Sequence, residues 1–416
     1  MLKSLSSRLA KPLLPVSRAR ELVLEAIRPL GSEQVDIDGG RGRVLARDVL
    51  AAGDVPPFPC SAMDGYAILA GDSGRRLAVV GESRAGTPSG QRVGEGEAIR
   101  ISTGAAVPEG ATAVIAQEQV SAEARDGSPD GAEIELRSAS PPGQHIRGAG
   151  EDMRAGTTIL TAGTRLGAVD VGAAVAAGAA ALTVARRPRV TVLCTGDELR
   201  APGESLAPGE IHNSNAPMLT GLAAGAGALP APAQRLPDDR DATESGVGEA
   251  LANSDVVIIS GGVSVGPHDH VKPALEALGV REIFWSVALQ PGKPTWFGTR
   301  DGEVLVFGLP GNPVSAVVTF SLFVAPALAA LQGGEPPSPP WPDAVLGTDV
   351  RRNPIRDQAV RVRVQAGATG PVAAPTGAQG SHILTSLLAA DALAMIPAGE
   401  GQLPAGTRVA LRAIAR

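Results

Sequence analysis

The chain has 416 residues, too many for a single core, with 44% hydrophobic residues, a net charge of −6 and a pI near 5.5. That acidic balance, with scattered Lys and Arg and only 2% aromatics, argues against nucleic acid as the main partner, which would need a basic face and stacking platforms. Two cysteines, Cys60 and Cys194, exclude a disulfide framework and a cysteine-rich metal site.

The first 20 residues carry Lys3, Arg8, Lys11, Arg18 and Arg20 and no acid. Lys11 interrupts the only apolar candidate for a signal peptide, so a cytoplasmic protein is expected. Residues 17–29 place Leu22, Val23, Ala26 and Ile27 on one helical stripe, with Ser17 as cap. Short strand-like alternation follows over 35–49. Between 54 and 147, apolar runs at 77–80, 98–101, 113–115 and 133–136 alternate with Gly, Pro and Asp turns, which predicts a small all-β unit. Residues 126–131 read as a hairpin tip and Asp64-Gly65 as a hairpin turn. The loop setting of Cys60 leaves it open to solvent, whereas Cys194 reads as a small core residue.

Residues 168–181 are Ala-rich and helical in propensity, and too poor in large apolar side chains for a membrane span. From 189 to 331 strands alternate with helices at 216–224, 240–252, 271–278 and 314–331, the pattern of a doubly wound parallel sheet. A proline-rich linker at 335–342 leads to a β-patterned end with strands near 359–364, 393–396 and 407–411. The expected fold class is therefore α/β plus β: an elongated multidomain protein with a mostly parallel α/β domain, a small all-β domain and a C-terminal β-barrel-like domain.

Three apolar strands of the α/β region open into glycine-rich loops, and ligands of such sheets bind outside the carboxyl ends of the strands. The first loop, Thr195-Gly-Asp-Glu-Leu199, offers Asp197 as a turn cap and Glu198 as a cation ligand or general base. The second, Gly261-Gly-Val-Ser-Val-Gly266, lets backbone approach a bulky anion through Gly261 and Gly262, with the Ser264 hydroxyl beside them. Asp269 caps the next helix or holds Mg2+, a hard cation suited to carboxylate oxygen; His268 and His270 read as surface residues. The third loop, Leu309-Pro-Gly-Asn-Pro313, feeds a helix whose N-terminus suits an oxyanion, and Pro291-Gly-Lys-Pro294 brings a rigidly placed cation. Neither a P-loop nor a dinucleotide fingerprint occurs.

Together with Ser61-Ala-Met-Asp-Gly-Tyr-Ala67, the Thr103-Gly-Ala run to Gly110, Gly150-Glu-Asp152, Asn213-Ser-Asn215 and Gly380-Ser-His382, these motifs make nine in order. The chain so read resembles the molybdopterin molybdenumtransferase family, called MoeA in bacteria and represented by the E domain of gephyrin in animals. The resemblance implies four domains: a discontinuous linking and dimerisation domain (15–53 with 148–187), a small β domain (54–147), an α/β molybdopterin-binding domain (188–334) and a C-terminal β domain (335–416). It implies molybdate insertion into adenylylated molybdopterin with Mg2+-dependent release of AMP, in a homodimer whose cleft is shared between subunits. Contacts with other proteins of molybdenum-cofactor synthesis would follow.

By the same resemblance, Glu198 and Asp269 match the magnesium-holding acids. Lys293, Pro294 and Ser315 match the molybdate pocket, with Ser381 from the last domain and a cation from Arg356 or Arg361; Pro310 and Pro313 shape the third loop. Asp64, Thr103, Arg147 and Asp152 match active-site positions supplied by the partner subunit, and Asp238 or Asp239 matches a family aspartate. The chain departs from its relatives at Pro59-Cys60, at Gln290 where lysine is common, and at His270 where tyrosine is usual. Two other activities compete: adenylyl transfer from ATP to molybdopterin, and a non-catalytic scaffold like gephyrin.

Overall fold

The structure is a computed structural model that describes residues 13–123, 132–263, 270–336, 338–368 and 370–415. Ser264, His268, Asp269 and the expected hairpin tip at 126–131 lie outside the described residues.

The first helix spans Val16–Glu25 and buries Val16, Ala19 and Val23, one face at helical spacing. Pro15 stands at its N-cap without a side-chain bond; Ser17 lies inside the first turn, so the serine cap expected from sequence does not form. Beyond it, strand Ser32–Asp36 pairs antiparallel with Ala181–Ala185, and Val49–Leu50 pairs with Thr158–Leu160. These segments, far apart in sequence, share one apolar cluster with Leu45, Leu166, Ala174 and Val184. The intervening chain forms a six-stranded sheet in the order Ala113–Ala116, Gly65–Ile68, Glu97–Ile101, Arg76–Ser83, Glu133–Leu136, Val120–Glu123.

Asp64-Gly65 does not turn a hairpin. Gly65 begins a strand that pairs with both Glu97–Ile101 and Ala113–Ala116, and a Cβ there would strike the Ile115 carbonyl. The glycine answers to close strand approach, not to a turn. Cys60 is buried, at 5% exposure, because Cys60–Ser61 pairs with Ile146–Arg147; the exposed thiol allowed by its loop is not found.

The central sheet has Arg189–Thr195 in parallel with Val256–Ser260, Leu229–Pro230 and Gln234–Leu236, and Val256–Ser260 in parallel with Val304–Leu309. Trp296–Arg300 and Arg281–Trp285 extend the far edge antiparallel. Helices cover both faces. Val190, Val192, Val256 and Ile258 enter one core and Leu193, Val257, Ile259 and Val306 the other; a strand buried on both sides has no polar face, hence its unbroken apolar run.

The single helix expected over 314–331 is interrupted. Pro313–Thr319 and Ala325–Leu331 are α-helical, while Phe320–Val324 widens into a π turn. Pro326 has no N–H to continue the α ladder, and the wider turn absorbs that break. By length and hydropathy this stretch resembles a membrane span, yet 89% of it is buried in the protein, where it forms much of the larger core.

In the last domain Asp357–Gly367 pairs with both Gly370–Pro375 and Ala392–Ile396, and Asp343–Leu346 and Arg408–Ala413 complete the circuit. This closed barrel has its own apolar interior. Leu289–Gln290, from the α/β region, adds in parallel at Asp357 and Gln358. That pairing fastens the Pro291-Gly-Lys-Pro294 loop to the barrel.

Candidate functional site

A cleft of about 820 Å3 opens at the carboxyl ends of the parallel strands, with Thr195, Glu198, Asp238, Gly261, Gly262 and His382 among its walls. Asn215, at the start of its helix and nearly buried, donates through Nδ2 to Ser260 Oγ (2.8 Å) and to the Gly311 carbonyl (2.7 Å). One amide thus ties the second glycine loop to the third.

Gly261 and Gly262 have positive φ, +91° and +62°. A Cβ on either would lie 2.8 Å from Thr195 Oγ1, and one on Gly262 would also meet Val271 Cγ2 at 2.6 Å. The pair is required by the close passage of the first loop over the second. Gly261 N–H donates to the Leu309 carbonyl, so it is spent on the scaffold and does not face an anion. Trp285 Nε1 donates to the Val263 carbonyl (3.2 Å), and the Lys272 ammonium lies 3.7 Å from the Trp285 ring centroid. Trp285 therefore holds both flanks of the 264–269 stretch.

Glu198 is exposed and its carboxylate, lying over Gly196, accepts no hydrogen bond among the described residues. Asp197 instead accepts from the Asp238 backbone N–H (3.2 Å), a structural use that matches its reading as a cap. The two candidate aspartates also separate. Asp239 is the N-cap of Arg240–Asn253, accepting from Ala242 N–H at 2.8 Å, while Asp238 lines the cleft with no side-chain bond among the described residues. Asp239→Ala should lower stability by about 1 kcal/mol with turnover retained. Asp238→Asn should leave the melting temperature unchanged, lower turnover and raise the Mg2+ needed for half-maximal rate; parallel thermal melts and assays check both.

Among the described residues no three His, Cys, Asp or Glu side chains cluster as a metal cage. Two uncommitted carboxylates facing one cleft nevertheless fit Mg2+, which is held by one or two carboxylates together with water and substrate phosphates.

Cys194 also faces the cleft, but burial pushes its thiol up from 9.0 to about 11, with the Asn213 hydrogen bond acting the other way. It is protonated at neutral pH and no nucleophile. Because the folded value lies above the unfolded one, its contribution to stability is complete below pH 9 and is lost as pH rises toward 11. Iodoacetamide at pH 7.5 should label Cys194 only on unfolding, readable by mass spectrometry.

The residues expected at an oxyanion pocket belong to loops and strands at the junction of the barrel with the α/β core. Lys293 is exposed, and its carbonyl accepts from Val287 N–H. Pro294 follows it, and Pro310 and Pro313 bracket the turn into the buried Ser315. The Ser381 carbonyl accepts from Val314 N–H (3.2 Å), docking the Gly380-Ser-His382 loop on that helix start.

Arg361 is fully buried: Nε donates to Ser386 Oγ (3.0 Å), Nη2 to the Ala378 and Gly380 carbonyls (3.3 Å each), and Nη1 has no partner. Burial holds its pKa below the usual arginine value. Arg356, half-exposed, has its backbone N–H on Asn353 Oδ1 and no side-chain partner among the described residues. Gln290 accepts from Asn353 Nδ2 at 2.6 Å and so braces the same junction.

Asp64 accepts from both Thr103 N–H (2.7 Å) and Thr103 Oγ1 (3.1 Å), reached through a turn in which the buried Ser61 bonds the Met63 backbone. Arg147 lies opposite Cys60 in the adjoining strand pair, and Asp152 N–H donates to the Val55 carbonyl. None of these four lines the Glu198 cleft of the same chain. Asn213, Asn215 and His382, which the sequence marks only as members of motifs, also stand on the cleft wall, where long-range folding and no local pattern places them.

The fold and cleft define a multidomain α/β protein with a small-molecule site at the ends of its parallel strands, joined to a β-barrel. Three family models match it in order: the MoeA N-terminal region (domain I and II) at 14–178, a probable molybdopterin-binding domain at 191–330, and the MoeA C-terminal region (domain IV) at 343–412. The molybdopterin molybdenumtransferase of Haemophilus influenzae is 34% identical over 404 residues, covering 96% of this chain and 98% of that one. Its namesake in Bacillus subtilis is also 34% identical, over 95% and 93%. A solved MoeA structure from Pyrococcus horikoshii superposes with a TM-score of 0.80 at 31% identity, over 96% of this chain and all of that one. The chain belongs to the molybdopterin molybdenumtransferase (MoeA) family.

Proposed function

We propose that this chain inserts molybdenum, delivered as molybdate, into molybdopterin, acting in the cytoplasm on the adenylylated form with Mg2+-dependent release of AMP. The observation that carries this reading is the cleft itself: two carboxylates, Glu198 and Asp238, unbonded among the described residues, face a glycine-walled space large enough for a nucleotide-linked ligand. Full-length similarity to transferases, including both flanking regions, favours it over adenylyl transfer or a bare scaffold.

Glu198 and Asp238, with Asp269 by family resemblance, are the residues that would hold Mg2+. The ion would offset charge on the pyrophosphate as AMP leaves. Gly261 and Gly262 admit the nucleotide end, with Ser264 assigned there by resemblance. At the other end Lys293, Arg356 and the unpartnered Nη1 of Arg361 supply donors for a dianion, Ser315 and Ser381 hydroxyls add to them, and Pro294, Pro310 and Pro313 keep that wall rigid.

Asp64, Thr103, Arg147 and Asp152 complete the cleft from a second copy of the chain. Mixing separately inactive Asp64→Ala and Glu198→Gln proteins after subunit exchange should then restore activity to about one quarter of wild type, since half the dimers carry one intact site of two. No recovery, with exchange confirmed by tagged subunits, would refute the shared site while leaving the reaction open to direct assay of AMP release.

A further inference from the structure

Away from the cleft, a cavity of about 270 Å3 lies where the first helix, the broken core helix, the proline-rich linker and the last barrel strand converge. Its two charged walls are Arg20, from Val16–Glu25, and Arg412, from Arg408–Ala413; Ser321, Leu322, Pro326 and Ser338 supply others. The π turn at Phe320–Val324 and the proline that causes it thus shape one side of this cavity.

Arg20 is half-buried, its Nε is inaccessible and without a partner, and it makes no salt bridge among the described residues. The acids on its own helix do not serve it: Glu21 and Glu25 are taken by Arg18 at 3.0 and 2.8 Å. Arg412 spends one N–H on the Leu411 carbonyl and likewise has no carboxylate partner among the described residues. Burial lowers the pKa of Arg20, and the charge of Arg412 lowers it further. Two guanidiniums facing one cavity with no counter-charge among the described residues cost stability, and a buried donor left unmade adds to that cost. Ser321 supplies no counter-charge: its neutral hydroxyl donates to the Val317 carbonyl and accepts from Ala415 N–H.

We propose that the cavity between Arg20 and Arg412 is a binding site for a small tetrahedral dianion of the phosphate class, separate from the catalytic cleft. Guanidinium forks match such oxyanions in geometry as well as charge, and the volume suits an ion or one phosphorylated group better than a nucleotide. A bound dianion would bridge the first helix to the last barrel strand, joining the two ends of the chain.

The test uses the full-length chain carrying Lys293→Ala, chosen to weaken the oxyanion pocket proposed at the barrel junction. Thermal melts and equilibrium dialysis are run against inorganic phosphate, sulfate and molybdate, with chloride at matched ionic strength; the ion giving the largest shift identifies the preferred ligand. Phosphate should raise the melting temperature and be retained at about one per chain. Adding Arg20→Gln or Arg412→Gln should weaken its apparent affinity about tenfold or more without lowering the melting temperature in chloride. Arg20→Lys, which keeps charge but not the fork, gives a second reading should a glutamine variant misfold, and should also bind less tightly. Undiminished retention in the arginine variants, no retention in Lys293→Ala alone, or an equal shift with chloride would each overturn the proposal.

Discussion

Replacing Glu198 by Gln is expected to lower AMP release from adenylylated molybdopterin by about 10²–10³-fold, the range found when one preorganised electrostatic group is lost from an active site. The same variant should need more Mg2+ for half-maximal rate, because the amide oxygen is a weaker ligand for a hard cation. Its melting temperature should stay at the wild-type value, since the carboxylate is exposed and bonds no described residue. Unchanged turnover across a Mg2+ titration would remove Glu198 from the proposed metal site. A lost rate accompanied by a lowered melting temperature would point instead to damage in the Thr195-Gly-Asp-Glu loop.

Arg361→Met is expected to act on both stability and substrate handling. The guanidinium makes three hydrogen bonds from a fully buried position. Its removal leaves the Ala378 carbonyl without a donor among the described residues and takes one bond each from Ser386 Oγ and the Gly380 carbonyl, which still bond Ile383, and a destabilisation of about 1–3 kcal/mol follows for the buried group left unpaired. The loop it braces carries Ser381, so the apparent KM for molybdate should rise with it. Arg361→Lys separates the two effects: it retains a charge but not the fork, so part of the stability should return while the molybdate KM stays raised. Denaturant melts and molybdate titrations measure them independently. A normal KM in a folded Arg361→Met protein would leave Arg356 and Lys293 as the cations of that pocket.

Much of the architecture was legible because burial on two faces leaves a plain mark. The runs at 190–194, 256–260 and 304–309 have no polar alternation, and all three lie inside the central sheet. The glycine loops after them were equally visible. Their reason was less so: Gly261 and Gly262 are demanded by contact with Thr195, 66 and 67 positions earlier, a constraint that local propensity does not carry. Local reading also failed at Asp64-Gly65 and Cys60, where strand pairing across the domain overrode a turn signal and a loop setting. The predicted single helix over 314–331 had the right extent, but Pro326 divided it.

The sequence by itself determined the chemical repertoire and family of this protein, since nine ordered motifs and the apolar periodicity survive without any knowledge of contacts. Only the tertiary structure decided how that repertoire is divided. It assigned Asp239 to a helix cap and Asp238 to the cleft, though the two are neighbours in the chain. It closed the last domain into a barrel and hung the Lys293 loop on it through Leu289–Gln290. It also brought Arg20 and Arg412, almost 400 positions apart, to opposite walls of one cavity. Each of these turns on which groups meet across long loops, and side-chain type constrains such encounters only after the chain has folded.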